Sequence, residues 1–277
     1  MSETGLPFDE SYLDKLADII VGTGLTLAPG QALVVTASAE ALPLVRRVTT
    51  AAYRAGAGLV TPFLSDEEIA RARYLHGHEG TFDRAAGWLY EGMAKAYENN
   101  AARLHIAADN PMALSDMDPA KVGAAAKANA AAYKPALSKI SSFEINWSIA
   151  AYPGRVWAAR VFPDLEPDDA QAALANAIFA ASRVDQDDPT SAWAAHNTNL
   201  AARRDWLNAQ DFASLHFRSA NTDLTVGLAD GHLWAGGASE AKNGIVCNPN
   251  IPTEEVFTTP HKDRVDGTVR ASKPLAH

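Results

Sequence analysis

Gln31-Ala32-Leu33-Val34-Val35-Thr36-Ala37-Ser38 is the stretch that decides the fold. It is a short apolar run, typical of a strand that is buried on both faces in a parallel sheet. Residues Leu42 to Ala55 return to helical spacing, which stops at Gly56-Ala57-Gly58. A second apolar run, Gly58 to Leu64, follows, and its Pro62 indicates an edge strand or a strand end. The order strand, helix, strand therefore predicts a right-handed crossover between parallel strands.

The same alternation continues on both sides of this stretch. An amphipathic helix is predicted from Tyr12 to about Gly22-Thr23-Gly24, and further strands are predicted at Ala102 to Ala108 and Phe143 to Ala150. Between these strands, helical spacing covers 66–76, 82–98 and 119–139. The pattern predicts an α/β fold with a parallel, helix-covered sheet. Because its glycines follow a helix, Gly22-Thr23-Gly24 does not match the dinucleotide-binding fingerprint, and no cofactor-binding loop is predicted.

The pattern changes in the last third of the chain. Helices are predicted at Pro167 to Ser182 and Thr190 to Asn208. From Ser214 onward, short alternating runs are separated by turn residues, which indicates β-rich chain. We therefore expect an N-terminal α/β scaffold domain at 1–212, followed at 213–277 by the start of a β-rich (α+β) catalytic domain.

Composition limits the classes of function. The chain has 277 residues, of which 47% are hydrophobic, so it can bury a core and is expected to form two domains. Its formal net charge of −9 argues against nucleic acid as a partner. No membrane span or secretory signal is recognised, and the single Cys247 fits a reducing compartment, so a cytoplasmic location is expected. The lone cysteine also excludes a Cys-based zinc site.

Paired carboxylates give the clearest chemical signal, in Asn250-Ile251-Pro252-Thr253-Glu254-Glu255-Val256-Phe257-Thr258-Thr259-Pro260-His261. Carboxylates in an extended, Pro-bounded segment suit a divalent metal ion. Since side chains alternate along a strand, one of Glu254 and Glu255 is expected to bind metal while the other supports it or faces solvent. A solvated strand face is the alternative interpretation. The sequence has no His-Glu-x-x-His, Walker or Gly-x-Ser-x-Gly motif, which excludes gluzincins, P-loop enzymes and α/β-hydrolases.

The segments around this pair resemble a known family. In that family's order, the chain has Trp193-Ala194-Ala195-His196-Asn197, Ser214-Leu215-His216-Phe217-Arg218, Asn221-Thr222-Asp223-Leu224 and Asp230-Gly231-His232-Leu233-Trp234-Ala235-Gly236-Gly237. Together with 250–261 they are similar to the aminopeptidase T and aminopeptidase S (PepS) metallopeptidases, the thermophilic-type aminopeptidases. The resemblance is strongest from about Asp188 to His277.

What the resemblance implies is a metal-dependent aminopeptidase. It would release N-terminal amino acids from peptides through a water activated by two divalent ions (zinc, cobalt or manganese), and it would be a homodimer. Related branches keep the Glu of the Glu-Val step, so Glu255 is the expected metal ligand and Glu254 the alternative. His261-Lys262-Asp263 has a His-x-Asp form, but in the family this His precedes the remaining ligands, so His261 is expected to line the site rather than coordinate.

The family's other ligands and a catalytic Tyr fall beyond the position of His277. The resemblance therefore implies that the chain is C-terminally truncated, either as a fragment or as a naturally shortened relative, that its catalytic residues lie outside this sequence, and that it is inactive alone. His196 is expected to be a packing histidine, whereas His216 and His232 belong to the second domain, where they could approach the site. The alternative function is a non-catalytic α/β module that binds a small molecule at the carboxyl edge of its sheet, or a scaffold.

Overall fold

A computed structural model describes residues 5–110 and 112–272, and the chain divides into two compact units. Unit 1 contains Met1–Ala192 and Ser239–Pro252, and unit 2 contains Trp193–Ala238 and Thr253–His277. The helices are α1 (Ser11–Ile19), α2 (Leu42–Arg54), α3 (Glu67–His76), α4 (Gly87–Glu98), α5 (Pro119–Ser141), α6 (Arg155–Val161), α7 (Pro167–Ala181) and α8 (Pro189–Gln210). The strands are β1 (Ala32–Ser38), β2 (Leu59–Ser65), β3 (Ala102–Ala107), β4 (Trp147–Ala151), β5 (Ser214–Ser219), β6 (Thr222–Leu228), β7 (Ser239–Glu240), β8 (Val246–Cys247), β9 (Asn250–Ile251) and β10 (Pro260–Val269).

Unit 1 is built on a five-stranded parallel sheet in the order β2-β1-β3-β4-β9. The predicted α/β fold is confirmed, and β1 lies inside the sheet as its apolar run predicts. Val35 pairs with Pro62 of β2 on one side and Leu104 of β3 on the other. Pro62 therefore stands in an edge strand, where its missing N–H breaks no ladder. On one sheet face Val34 packs into a core with Met93 and Tyr97 of α4 and Ile140 of α5.

The fifth strand, β9, lies in the segment expected to be extended, but its place in this sheet was not predicted. It has two residues, Asn250 and Ile251, which pair with Ile149 and Ala150 of β4. Ser239–Pro252 thus returns to unit 1 after the chain has entered unit 2. A two-residue strand carries no periodicity, so its sequence contains no strand signal. Compactness alone does not define function, so the scaffold domain at 1–212 and catalytic domain at 213–277 remain a prediction.

A buried amide network joins the loops at the amino edge of this sheet. Asn146 is fully buried, and its Nδ2 donates to the carbonyl of Leu25 at 2.8 Å. Its Oδ1 accepts from Nε2 of Gln31 at 2.7 Å and from Nδ2 of Asn243 at 3.1 Å. Asn243 belongs to the returning segment. One side chain therefore connects three distant parts of unit 1.

Replacing Asn146 by Ala should destabilise the protein by about 1–3 kcal/mol, because the carbonyl of Leu25 would lose a donor away from water and Gln31 would keep Asn100 but lose Asn146 as a partner. Urea unfolding curves measure this change. Asn99→Ala is the matched control, since Asn99 is exposed just after α4 and its side-chain amide donates to the carbonyl of Lys95, and a shift within about 0.5 kcal/mol is expected. Equal destabilisation by the two variants would contradict the structural role given to the network.

Unit 2 contains most of α8 and an antiparallel sheet in the order β10-β6-β5. The β-rich character predicted from Ser214 onward is confirmed. Two details differ from the sequence prediction in unit 1: α6 was not predicted, and the strand expected from Phe143 begins only at Trp147. Phe143 has a positive φ of 55° in the turn after α5, which delays the strand.

Within 5–110 and 112–272, no helix is long and apolar enough to cross a bilayer.

Candidate metal centre

The segment that carries Glu254 and Glu255 lies in unit 2 directly after Pro252. Residues 253–256 are not in a regular strand. Directly after them, Phe257 forms an isolated antiparallel bridge with Ala235, which fixes this end of the segment. The two residues exchange N–H···O bonds of 2.8 Å in each direction. Thr253 is buried, whereas Glu254 and Glu255 are exposed. The expected strand is therefore an anchored loop with both carboxylates at the surface.

His196 of α8 anchors the start of this loop. Its Nε2 lies 2.7 Å from the carbonyl oxygen of Thr253. A carbonyl only accepts, so Nε2 carries the hydrogen and donates. The same nitrogen lies 3.7 Å from Oε2 of Glu254, and the ring packs edge-on against Trp193 at 5.7 Å. His196 thus packs against Trp193, as its position predicts, and it also fixes the loop through the hydrogen bond to Thr253.

Glu255 has different partners from Glu254. Its Oε2 accepts the backbone N–H of Glu254 at 3.0 Å. That hydrogen bond is the main reason why the pKa of the Glu255 carboxyl lies below its ordinary value, and the Thr253 side chain contributes in the same direction against a partial desolvation effect. Glu255 is therefore ionised at neutral pH. A deprotonated, oriented carboxylate is the form in which Glu binds a cation.

The backbone of Glu255 is also fixed by its neighbour Gly236. A Cβ atom on Gly236 would lie 2.6 Å from the carbonyl oxygen of Glu255 and 2.9 Å from Cγ1 of Val256. These distances are too short for a side chain, so only glycine permits this approach. Gly236 thus has a packing role beside the carboxylates.

Gly236→Ala should shift the Glu255 segment and destabilise unit 2 by about 1–3 kcal/mol, since the added methyl group overpacks the contact with Glu255 and Val256. Trp193 and Trp234 are buried in unit 2, so denaturant unfolding followed by tryptophan fluorescence reports the change. Gly123→Ala is the control, because Gly123 lies in α5 with open space around it. That variant should stabilise its helix by about 0.5–1 kcal/mol. An unchanged unfolding midpoint for Gly236→Ala would contradict the close approach.

His261 is the second residue of β10 and is half-buried. Its Nδ1 accepts the backbone N–H of Asp263 at 3.2 Å, so the His-x-Asp pair is joined through the backbone. Two further histidines of this unit are engaged elsewhere: His216 with Asp223 at 2.7 Å, and His232 with the carbonyl of Ala229 at 2.9 Å.

The donor set can be compared with what a metal site requires. In the part of the chain that the structure describes, no three His, Cys, Asp or Glu side chains converge as a group that could hold a metal ion. A catalytic zinc site has three protein ligands and one open position. Glu255 therefore fits a single ligand position, and the described residues do not make up a complete centre.

The sequence located the carboxylate pair, but it did not reveal the contact of His196 with Thr253, because these two residues are 57 positions apart.

Comparison with known proteins identifies relatives over nearly the whole chain. Residues 9–277 match the family described as thermophilic metalloprotease (M29). Aminopeptidase T from Thermus thermophilus is 51% identical over 264 residues, covering 95% of this chain and 65% of that protein. Aminopeptidase 2 from Geobacillus stearothermophilus is 42% identical over 266 residues, covering 96% of this chain and 64% of its own length. The solved structure of wild-type AmpT from Thermus thermophilus superimposes with a TM-score of 0.90 at 48% identity, covering 96% of this chain and 66% of that one. The chain thus spans about two thirds of the length of these relatives.

Proposed function

We propose, because this chain belongs to the thermophilic metalloprotease (M29) family, that the protein is a metal-dependent aminopeptidase that releases N-terminal amino acids from peptides. The observation that carries the proposal is the family match over residues 9–277, together with relatives that are named aminopeptidases. The α/β unit and the loop with the paired carboxylates are consistent with it.

Glu255 is proposed as a ligand of a divalent ion. Three features support this assignment: the carboxylate is exposed, its pKa is lowered by donated hydrogen bonds, and its backbone is fixed against Gly236. Glu254 is the alternative ligand, although its carboxylate lies beside His196, which favours a supporting role. His261 is proposed to line the site.

Two divalent ions per site, zinc, cobalt or manganese, are part of the proposal. Bound ions of this kind lower the pKa of a water molecule and polarise a scissile carbonyl. The contribution of the described residues is limited to holding Glu255 ionised and in place.

A homodimer is also proposed, and a measurement of the molar mass of the protein in solution would test it.

Hydrolysis of aminoacyl p-nitroanilides tests the proposal, with the protein expressed from the complete reading frame that encodes this sequence. Activity should disappear after treatment with a chelator and return when zinc, cobalt or manganese is added. Glu255→Gln should lower kcat/KM by about a hundredfold or more and reduce the bound metal measured by mass spectrometry, since an amide oxygen is a weaker ligand than a carboxylate.

Glu254→Gln is the matched control, because it removes the same charge from the adjacent exposed position. It should leave the metal content unchanged and reduce activity much less than Glu255→Gln. Metal loss in Glu254→Gln alone would transfer the ligand role to Glu254. Hydrolysis that survives chelation, or a complete protein without aminopeptidase activity, would refute the proposed function.

A further inference from the structure

A tight hairpin turn in the returning segment of unit 1 carries the only Asn-Gly pair of the sequence, Asn243-Gly244. The turn connects β7 with β8, which pair in antiparallel fashion. The backbone N–H of Gly244 donates to the carbonyl of Ala241 at 2.8 Å. Gly244 has a positive φ of 80°, which glycine adopts at less cost than any residue with a side chain. The hairpin therefore accounts for a glycine directly after Asn243.

An asparagine that precedes glycine can react with its own backbone in water. The backbone nitrogen of Gly244 attacks Cγ of Asn243, so that a new N–C bond forms while the C–N bond of the side-chain amide breaks. Ammonia leaves with the proton of the Gly244 N–H, and a five-membered succinimide remains. Water then opens this ring at either carbonyl, which leaves aspartate or isoaspartate in place of Asn243. Since glycine has no side chain to hinder the attack, this reaction is easier here than at the other asparagines of the chain.

The folded structure restrains both reacting groups. The N–H of Gly244 is already bonded within the turn. Nδ2 of Asn243 donates to Oδ1 of Asn146 at 3.1 Å and to Oδ1 of Asn100 at 2.8 Å. Its Oδ1 accepts the backbone N–H of Ile245 at 3.2 Å. Rotation of this side chain toward the backbone nitrogen would break these hydrogen bonds, so the reaction requires a local opening of the turn.

The product does not fit the place of Asn243 in the amide network. A carboxylate has no hydrogen to donate, so both bonds from Nδ2 are lost. The fully buried Asn146 cannot turn its own Nδ2 toward the new charge without giving up its bond of 2.8 Å to the carbonyl of Leu25. Its Oδ1 would therefore face a carboxylate oxygen, acceptor against acceptor. The isoaspartate product also adds a methylene carbon to the backbone of the turn, so either product disrupts the network.

We propose that Asn243 is the site of an irreversible deamidation that the amide network of unit 1 restrains, and that the reaction detaches the hairpin of β7 and β8 from this network. The network thus determines how long the returning segment Ser239–Pro252 keeps its place. The inference concerns unit 1 and does not rest on the proposed peptidase function. Its tests measure mass and unfolding temperature, so the two proposals can fail independently.

Peptide mapping by mass spectrometry tests the restraint, with the protein kept in mildly alkaline buffer. Conversion of Asn243 should be at least about tenfold slower in the folded protein than in the same protein unfolded in guanidinium chloride. Asn146→Ala should raise the rate in the folded protein by about fivefold or more, because the open population grows as stability falls. Asn176→Ala is the matched control, since Asn176 is exposed in α7, and Asn243 should react in it at the parent rate.

A substitution that imitates the product tests the consequence. Asn243→Asp should lower the unfolding temperature, followed by circular dichroism, by about 3 °C or more, because it removes two hydrogen bonds from the network. Asn176→Asp adds the same charge at an exposed position and should change this temperature by less than about 1 °C.

Three outcomes would overturn the proposal: equal rates in folded and unfolded protein, equal rates in Asn146→Ala and Asn176→Ala, or equal unfolding temperatures of Asn243→Asp and Asn176→Asp. The first and the third comparison remain decisive even if Asn146→Ala does not fold.

Discussion

The pairing of β9 with β4 is the constraint on which the return of the chain to the sheet of unit 1 depends. The backbone N–H of Ile149 donates to the carbonyl of Pro249 at 2.8 Å, and Oγ of Ser148 donates to the carbonyl of Asn248 at 2.8 Å. Since Ile251 ends β9, a single residue separates this anchored strand from Thr253. The pairing thus fixes the last residues of the returning segment Ser239–Pro252 against the sheet of unit 1.

Gly24 packs closely against this part of the sheet although it lies far away in the sequence. A Cβ there would lie 3.1 Å from Oγ of Ser148 and 3.2 Å from Cγ1 of Ile251, and the carbonyl of Gly24 accepts the N–H of Asn248 at 2.9 Å. Gly24 ends the π-helical turn Ile20–Gly24, which follows α1, so the end of this turn and β9 share one close contact. The packing around β9 thus involves a residue more than two hundred positions earlier in the chain.

The sequence was sufficient where local patterns determine structure. The buried run of β1, the edge position of Pro62 and the long α5 follow from periodicity and proline chemistry, and the structure confirms them. The two-residue β9 and the amide network around Asn146 depend on contacts between distant residues, for which a single sequence has no signal. The site divides in the same way. Residue chemistry identified Glu254 and Glu255, whereas their different partners required the fold, and the role of Glu255 as ligand remains a prediction.

Two glutamates of this chain illustrate how environment assigns different chemistry to one residue type. Glu255 is exposed and receives hydrogen bonds, which favour its charged form and lower its pKa. Glu40 is partly buried and faces Glu67 and Asp109, which disfavours its charged form and raises its pKa. A metal ligand must be deprotonated at little cost, which suits Glu255.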